Sequence, residues 1–265
     1  GFDLKIGRQE VMLGSEFIIG NNSNSSNFNH VSFDGIVGEY SGDSFDVTLL
    51  SLKVEEDDGF NDIEVDADDD IYAIYATYNG IENHTIDGYV FLERSGITGA
   101  SNSENGELYT IGARAAGTFG SFDYELEIAT QSGQDSSDTD YEGLAVNSVL
   151  GYTFDSNMQP RVWLGFALLT GDDEDNGFTR NYSDWEFSEF LGDGEESNLM
   201  IIRAGVSANV TEKIGLSAVV SSFTLEEEDD DDDDSIIDDT SDLDDDDDDM
   251  AEIKEHVEVD LDNKD

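Results

Sequence analysis

The stretch Phe122-Asp123-Tyr124-Glu125-Leu126-Glu127-Ile128 alternates apolar and acidic side chains without a break. Because successive side chains of a β-strand point to opposite faces, this stretch predicts a strand with one apolar and one charged face. The same alternation recurs along the chain, whereas helical periodicity is almost absent. The pattern predicts strands near residues 2–12, 31–40, 44–55, 70–78, 86–94, 107–118, 120–131, 141–154, 159–169, 184–190, 197–208, 213–225 and 254–261.

The links between these segments alternate in length along nearly the whole chain. We expect short links near residues 41–43, 79–85, 119, 155–158, 191–196 and 209–212. We expect long links near residues 13–30, 56–69, 95–106, 132–140, 170–183 and 226–253. In an antiparallel meander, successive links lie at opposite ends of the strands, so the short turns and the long loops collect at different ends.

This asymmetry, with strands of about ten residues, is typical of transmembrane β-barrels. The predicted fold class is therefore all-β: an antiparallel up-and-down transmembrane β-barrel (a meander), with about 12–13 strands of a larger barrel visible. A secreted β-sandwich or solenoid with acidic loops is the alternative, since alternation alone fits it equally well. Greek-key crossings, however, would not keep the short–long order so regularly.

The composition excludes several classes of function. The 265 residues include 65 Asp and Glu against 11 Lys and Arg, which gives a formal net charge of −54. Nucleic-acid binding is not expected, because affinity for phosphates depends on clustered Lys and Arg. There is no cysteine, and no apolar run of about 18 residues that would predict a transmembrane helix. The chain begins at Gly1 rather than Met, from which we expect a removed signal segment or a fragment.

No enzyme is predicted from the motifs. The three histidines, His30, His84 and His256, are far apart and show no metal-ligand spacing. Neither a G-x-S-x-G elbow nor a glycine-rich phosphate loop is present. No cofactor is expected apart from Ca²⁺ or Mg²⁺ bound by loops.

The pattern of strands and acidic runs predicts three regions along the chain. Residues 1–225 are expected to hold the barrel strands with long acidic outer loops. Residues 226–253 form an Asp-rich loop, in which 19 of the 27 residues from 226 to 252 are Asp or Glu, and this composition predicts disorder. Residues 254–265 are expected to begin a further barrel strand.

The acidic loops offer candidate metal ligands. These are Asp66, Asp68, Asp70, Asp172 and Glu174. Carboxylate oxygens suit Ca²⁺ and Mg²⁺, but they also repel anions at a pore mouth, or form the solvated surface of a protein from a high-salt environment. We favour the last interpretation. An EF-hand loop starting at Asp172 is excluded, because its twelfth position is Ser183 rather than Glu.

Six motifs in order resemble the alginate-export family of outer-membrane proteins. They are Leu4-Lys5-Ile6-Gly7-Arg8-Gln9-Glu10, Phe33-Asp34-Gly35-Ile36, Tyr109-Thr110-Ile111-Gly112-Ala113-Arg114, Phe122-Asp123-Tyr124-Glu125, Gly151-Tyr152-Thr153-Phe154 with Pro160-Arg161, and Asn198-Leu199 through Arg203-Ala204-Gly205-Val206-Ser207. One segment departs from the family pattern, because Phe178-Thr179-Arg180-Asn181-Tyr182 lacks the expected Pro and His. The resemblance implies a single-chain barrel with more strands than this chain shows, which exports an anionic polysaccharide.

The charged residues of the predicted strands are expected to line the lumen. Lys5, Arg114, Arg161 and Arg203 fall opposite the apolar faces of their strands, and Arg8 joins them if Gly7 marks a bulge. An Arg facing lipid at mid-membrane costs about 2–4 kcal/mol, which favours the lumen. Glu125 and Glu127 lie on the neighbouring strand, where pairing with Arg114 is expected.

The sequence thus predicts a porin-like or polysaccharide-export channel in the outer membrane of a Gram-negative-type bacterium. Its expected partners are outer-membrane lipid and a translocated solute or anionic polysaccharide. The oligomeric state is left open, and the high acidity argues against a polyanionic cargo. The alternative function is a soluble acidic extracellular β-protein that binds divalent cations.

Overall fold

One antiparallel sheet of twelve strands forms the whole described fold. The structure is a computed structural model that describes residues 1–21, 31–55, 69–95, 106–134, 140–171, 177–187, 197–211, 213–226 and 256–263. The strands are β1 (Phe2–Gln9), β2 (Phe33–Ser41), β3 (Phe45–Glu55), β4 (Asp69–Ile81), β5 (His84–Ser95), β6 (Gly106–Phe119), β7 (Phe122–Gln134), β8 (Asp140–Thr153), β9 (Arg161–Leu169), β10 (Leu199–Thr211), β11 (Ile214–Leu225) and β12 (His256–Asn263).

Each strand pairs with its neighbours in the sequence, so the sheet order is β1 to β12 without a crossover. The predicted up-and-down meander is therefore confirmed. None of the described ranges contains a helix with the length and apolar character needed to cross a bilayer.

One predicted strand is wrong. Residues 184–187 have no strand structure, and residues 188–190 lie outside the described residues. Among the described strands β10 therefore follows β9 directly, and residues 170–198 connect the two. Without the extra strand, successive links fall alternately at the long-link end and at the short-link end of the sheet. The alternation of long and short links has one exception in length. The link 135–139, at the long-link end, is shorter than the link 154–160 at the other end of β8.

The outward face of the sheet carries exposed apolar side chains. Phe122, Leu126 and Ile128 of β7 are all exposed, as the alternation predicts for a lipid-facing strand. On β6 the outward face runs from Tyr109 to Phe119, both exposed aromatic residues. Ten residues of strand at a tilt of about 40° span about 26 Å, close to the height of a transmembrane apolar band between its aromatic girdles.

The inner face is covered at the long-link end by two segments of the links. We call them segment A (residues 10–21, after β1) and segment B (residues 177–187, after β9). Their apolar side chains form one cluster with the sheet, including Phe17, Ile19, Phe178 and Phe187. Gly143 makes this contact possible, because a Cβ at that position would lie 2.7 Å from the backbone of Phe178.

Segments A and B also join each other. Ile19 and Tyr182 form a parallel bridge, and Gly20 N donates to Tyr182 O at 2.8 Å. Asp184 N donates to Glu16 O at 3.0 Å. Because segment A follows β1 and segment B follows β9, this contact crosses the inner side of the sheet.

Candidate functional site

The inner face between β5 and β7 carries a network of ion pairs. Arg114 Nη1 donates to Asp87 Oδ2 at 2.8 Å, and its Nη2 donates to Glu125 Oε2 at 3.0 Å. Asp87 also accepts a hydrogen bond from Thr77 Oγ1 at 2.7 Å. The pairing of Arg114 with Glu125 is the one expected from the sequence, whereas Asp87 was not predicted to take part.

Glu127 connects this wall to segment A. Its carboxylate is buried and accepts hydrogen bonds from Ser15 Oγ at 2.6 Å and from Tyr89 OH at 2.8 Å. The Tyr89 ring stacks on Tyr75, with ring centroids 5.5 Å apart. Glu127 therefore helps to hold a segment of the first long link against the sheet.

Arg161 lies near the short-link end of the inner face. Its Nε donates to Asp123 Oδ1 at 3.0 Å, and its Nη2 also donates to the same carboxylate. The guanidinium lies 6.0 Å from the ring centroid of Trp163. Arg161 is thus neutralised locally, as Arg114 is.

Arg203 has a different environment. It is buried on β10, and its Nη2 donates to Asn147 Oδ1 of β8 at 3.1 Å. The guanidinium lies against the rings of Phe187, Trp163 and Trp185, at 4.9, 5.8 and 5.9 Å from their centroids. No carboxylate of the described residues lies within ion-pair distance of it.

Arg180 of segment B is a site residue that the sequence interpretation missed. It is 1 % exposed and lies 4.9 Å from the Phe17 ring and 5.0 Å from the Phe187 ring. Its Nη1 donates to Ser183 Oγ and to Trp185 O, each at 3.0 Å. In the sequence, Arg180 lies in a predicted long link and in a segment that departs from the family pattern. Neither feature indicates that this link folds against the inner face.

The two cations of β1 lie on opposite faces. Lys5 pairs in register with buried Val37 on the inner face, and its Nζ lies 3.5 Å from Glu39 Oε1. The bulge expected at Gly7 does not occur, because the register runs without a shift through Arg8. Arg8 therefore shares the outward face with Ile6, and it forms an exposed ion pair with Asp34 at 2.7 Å.

Arg8 begins a row of alternating charge on the outward face. The residues paired across β1 to β6 at this level are, in order, Arg8, Asp34, Lys53, Asp70, Arg94 and Glu107. The ion pairs Lys53–Asp70 and Arg94–Glu107 measure 3.3 and 2.9 Å. The row lies at the long-link ends of the strands, where an outward Arg costs only about 0–1 kcal/mol because the hydrocarbon region has ended.

The candidate metal ligands are only partly visible. Asp70 is bound to Lys53 in this row, and it accepts a hydrogen bond from Tyr72 OH at 3.3 Å. Asp66, Asp68, Asp172 and Glu174 lie outside the described residues. Within the described ranges, no three His, Asp or Glu side chains are grouped so that they could hold a metal ion.

Two cavities help to locate the site. A groove of about 530 Å³ lies largely on the outward face, among Leu150, Leu164, Val206 and other apolar residues, and it belongs to the lipid-facing surface. A more polar cavity of about 300 Å³ lies between the inner wall and segment B, lined by Glu93, Tyr141 and Asn181 among others. Asn181 Nδ2 donates to Glu93 Oε2 there at 3.1 Å. The candidate site is therefore the inner face together with segments A and B.

The comparisons with known proteins agree with this architecture. Residues 1–242 match the family model described as alginate export. No match was found among curated proteins. The fold is similar to the crystal structure of Pseudomonas aeruginosa OccK8 (OprE), with a TM-score of 0.57 and 12 % sequence identity over 84 % of this chain.

The match covers 63 % of the OccK8 chain, so this chain spans less than two thirds of that protein. At this identity the likeness supports the barrel fold alone. The family match includes all six motifs of the sequence resemblance, which is thereby confirmed. The chain therefore belongs to the alginate export family and is a protein of the Gram-negative outer membrane.

Proposed function

We propose that this chain forms part of the wall of an outer-membrane channel that passes a hydrophilic solute through its lumen. The observation that carries the proposal is the division of the two faces. Large apolar side chains are exposed on the outward face of β1 to β11, whereas the ion-paired Arg114, Glu125 and Arg161 lie on the inner face. A soluble protein would not expose so much contiguous apolar surface, which argues against the acidic extracellular binding protein.

The charge of the inner face bears on the solute. By register, carboxylates outnumber cations at the inner positions of the described strands β1 to β11. The carboxylates are Asp3, Glu39, Asp46, Asp69, Asp87, Glu93, Asp123, Glu125 and Glu127. The cations are Lys5, Arg114, Arg161 and Arg203. This excess favours small cations or neutral solutes over a polyanion, although family membership favours an anionic polysaccharide.

Reconstitution of the full-length protein tests this function. In detergent, a folded barrel is expected to migrate differently on gels before and after boiling. In planar bilayers it is expected to produce discrete conductance steps, with a reversal potential that indicates preference for K⁺ over Cl⁻. A full-length protein that stays soluble without detergent and gives no conductance would overturn the channel proposal, and a preference for Cl⁻ would overturn the assigned selectivity.

A further inference from the structure

The Trp163 ring lies flat against the inner wall of the sheet. Its register partner on β10 is Gly205, and a Cβ at Gly205 would overlap the ring atoms Nε1, Cε2 and Cζ2. The overlap is closest at Cε2. Cε2 joins the two rings of the indole, so an indole standing on its edge would meet the Cβ first through Nε1 or Cζ2. A face of the indole therefore covers Gly205, and only a residue without a side chain permits this contact.

The opposite face of the Trp163 ring is turned toward the lumen. Trp163 is half-buried, whereas the cluster beneath segments A and B is buried. The guanidinium groups of Arg161 and Arg203 lie 6.0 and 5.8 Å from the ring centroid. A group stacked on the ring would lie about 3.5–4 Å from it. Neither guanidinium therefore covers the centre of the face that is turned toward the lumen.

Polar groups border the Trp163 ring on the inner face. Asp123 and Arg161 form their ion pair directly above Gly151, which is the register partner of Trp163 on β8. Ser207 of β10 is the register partner of Arg161 and also belongs to the inner face. This arrangement suits a ligand with an apolar face and with hydrogen-bonding groups around its edge.

A pyranose ring has this shape. Its C–H groups form faces that are apolar and slightly positive, so they pack on the negative face of an aromatic ring. Its equatorial hydroxyl groups point outward, where they can bond to polar side chains beside the ring. A stacked organic cation is disfavoured, because Arg161 and Arg203 would repel it. A flat aromatic solute would stack, but it would form no hydrogen bonds at its edge.

We propose that Trp163, held flat on Gly205, is the stacking platform of a binding site for one neutral pyranose ring in the lumen. The site belongs to the proposed channel and rests on that proposal for its place in the solute path. It adds the chemical class of the solute and the side chain that recognises it. Binding can be measured in detergent without conduction, so the site and the channel can fail separately.

The first test titrates the full-length protein in detergent with methyl β-D-glucopyranoside and follows tryptophan emission. A saturable change with a midpoint in the millimolar range is expected, and Trp163→Phe should abolish it. The matched control ligand is sorbitol, an open-chain polyol that has hydroxyl groups but no ring face, and it should produce no saturable change. If the glucoside produces no saturable change, or if sorbitol produces the same one, the proposal is wrong.

The second test measures how the glucoside interrupts the current through single channels in planar bilayers. Trp163→Leu keeps an apolar side chain but removes the aromatic face, and it should raise the midpoint concentration for blockade about fivefold to tenfold. The matched control is Phe166→Leu, an exposed aromatic residue on the outward face of the same strand, and it should leave the midpoint unchanged. Channels that conduct normally but show the same midpoint in Trp163→Leu and the parent would overturn the site alone. If there is no conductance at all, the channel proposal fails and the first test still decides on the site.

The third test changes the position of the indole but not the indole itself. Gly205→Ala places a methyl group beneath the ring and should weaken binding of the glucoside nearly as much as Trp163→Leu does. The matched control is Gly88→Ala, at an exposed position of β5 where a Cβ would meet nothing within 4 Å, and it should bind like the parent. Heat-modifiable migration of both variants shows that they are folded. A folded Gly205→Ala protein with unchanged affinity would contradict the proposed platform.

Discussion

Glu16 is one of the residues that hold segments A and B together. Its backbone has a φ of 65°, an uncommon conformation for a residue with a side chain, and its carbonyl accepts hydrogen bonds from Asp184 N and Ser183 Oγ. Burial, and next the charge of Asp184, raise the pKa of the Glu16 carboxyl above its ordinary value of 4.5. The packed arrangement therefore favours the neutral form of Glu16.

The attachment of segment A to segment B should weaken as the pH rises. A carboxyl whose pKa is raised by packing imposes no penalty below its unperturbed pKa, and a growing one as the pH climbs through the raised value. The emission of Trp185, in a background with Trp163→Phe, should therefore shift progressively above about pH 4.5 as the segment loosens. Glu16→Gln should flatten this dependence, because the side chain stays neutral.

The control for this prediction is Glu82→Gln, in the exposed short link between β4 and β5, which should leave the pH profile unchanged. A profile that is the same in Glu16→Gln and in the parent would show that another group is responsible.

At the scale of the elements, the strands could be predicted from the sequence but the inward segments could not. The alternation of a strand such as β7 is local, because adjacent side chains meet lipid and lumen in turn. Trp185 and Phe187 alternate with Asp184 and Glu186 in the same way, and this pattern led to the wrong strand at 184–190. Their common side is buried against the inner face instead, and that face is formed by strands distant in the sequence.

The prediction that Arg8 faces the lumen was wrong for a related reason. Alternation alone puts Arg8 on the outward face with Ile6. The free-energy cost of a lipid-facing Arg at mid-membrane favoured instead a bulge at Gly7 that would turn Arg8 inward. The row of opposite charges from Asp34 to Glu107 becomes visible only when the register of six strands is known. At the end of the strands this row is compatible with the lipid–water boundary, so no bulge is needed.

Segment B should restrict the lumen. Replacing residues 177–187 with a Gly-Ser segment of equal length removes the apolar anchors Phe178 and Phe187 and the bonds of Arg180. We expect single-channel conductance in planar bilayers to rise several-fold, because the inner face is uncovered. The control, Asn181→Ala, removes the hydrogen bonds of this side chain with Glu93 and Thr179, leaves the apolar anchors in place, and should change conductance little. Unchanged conductance in the replaced channel, with heat-modifiable migration retained, would show that segment B does not restrict the path.

At the scale of the whole molecule, the meander and its two unequal ends follow from the link lengths, which is why the barrel class could be predicted before any contact was known. The filling of the inner side could not, because it depends on Phe17, Ile19, Phe178 and Phe187 meeting across the sheet. The sequence shows that the long links contain apolar residues, but it does not show which surface buries them. The expectation of a lumen lined by the charged residues of the strands therefore omitted the contact between segments A and B.

The net charge of −54 leads to a prediction about salt. Carboxylates concentrated in the links repel one another, and raising the salt from 0.1 to 1 M shortens the screening length from about 10 Å to about 3 Å. We propose that the acidity is an adaptation to high salt. The melting temperature in detergent should then rise by on the order of 5 °C between 0.1 and 1 M NaCl.

MgCl₂ and CaCl₂ at matched ionic strength should act no more strongly than NaCl. A saturable effect of Ca²⁺ at millimolar concentration would instead show that the acidic loops bind divalent cations; these loops contain Asp66, Asp68, Asp172 and Glu174. An unchanged melting temperature in NaCl would contradict the proposed adaptation to high salt.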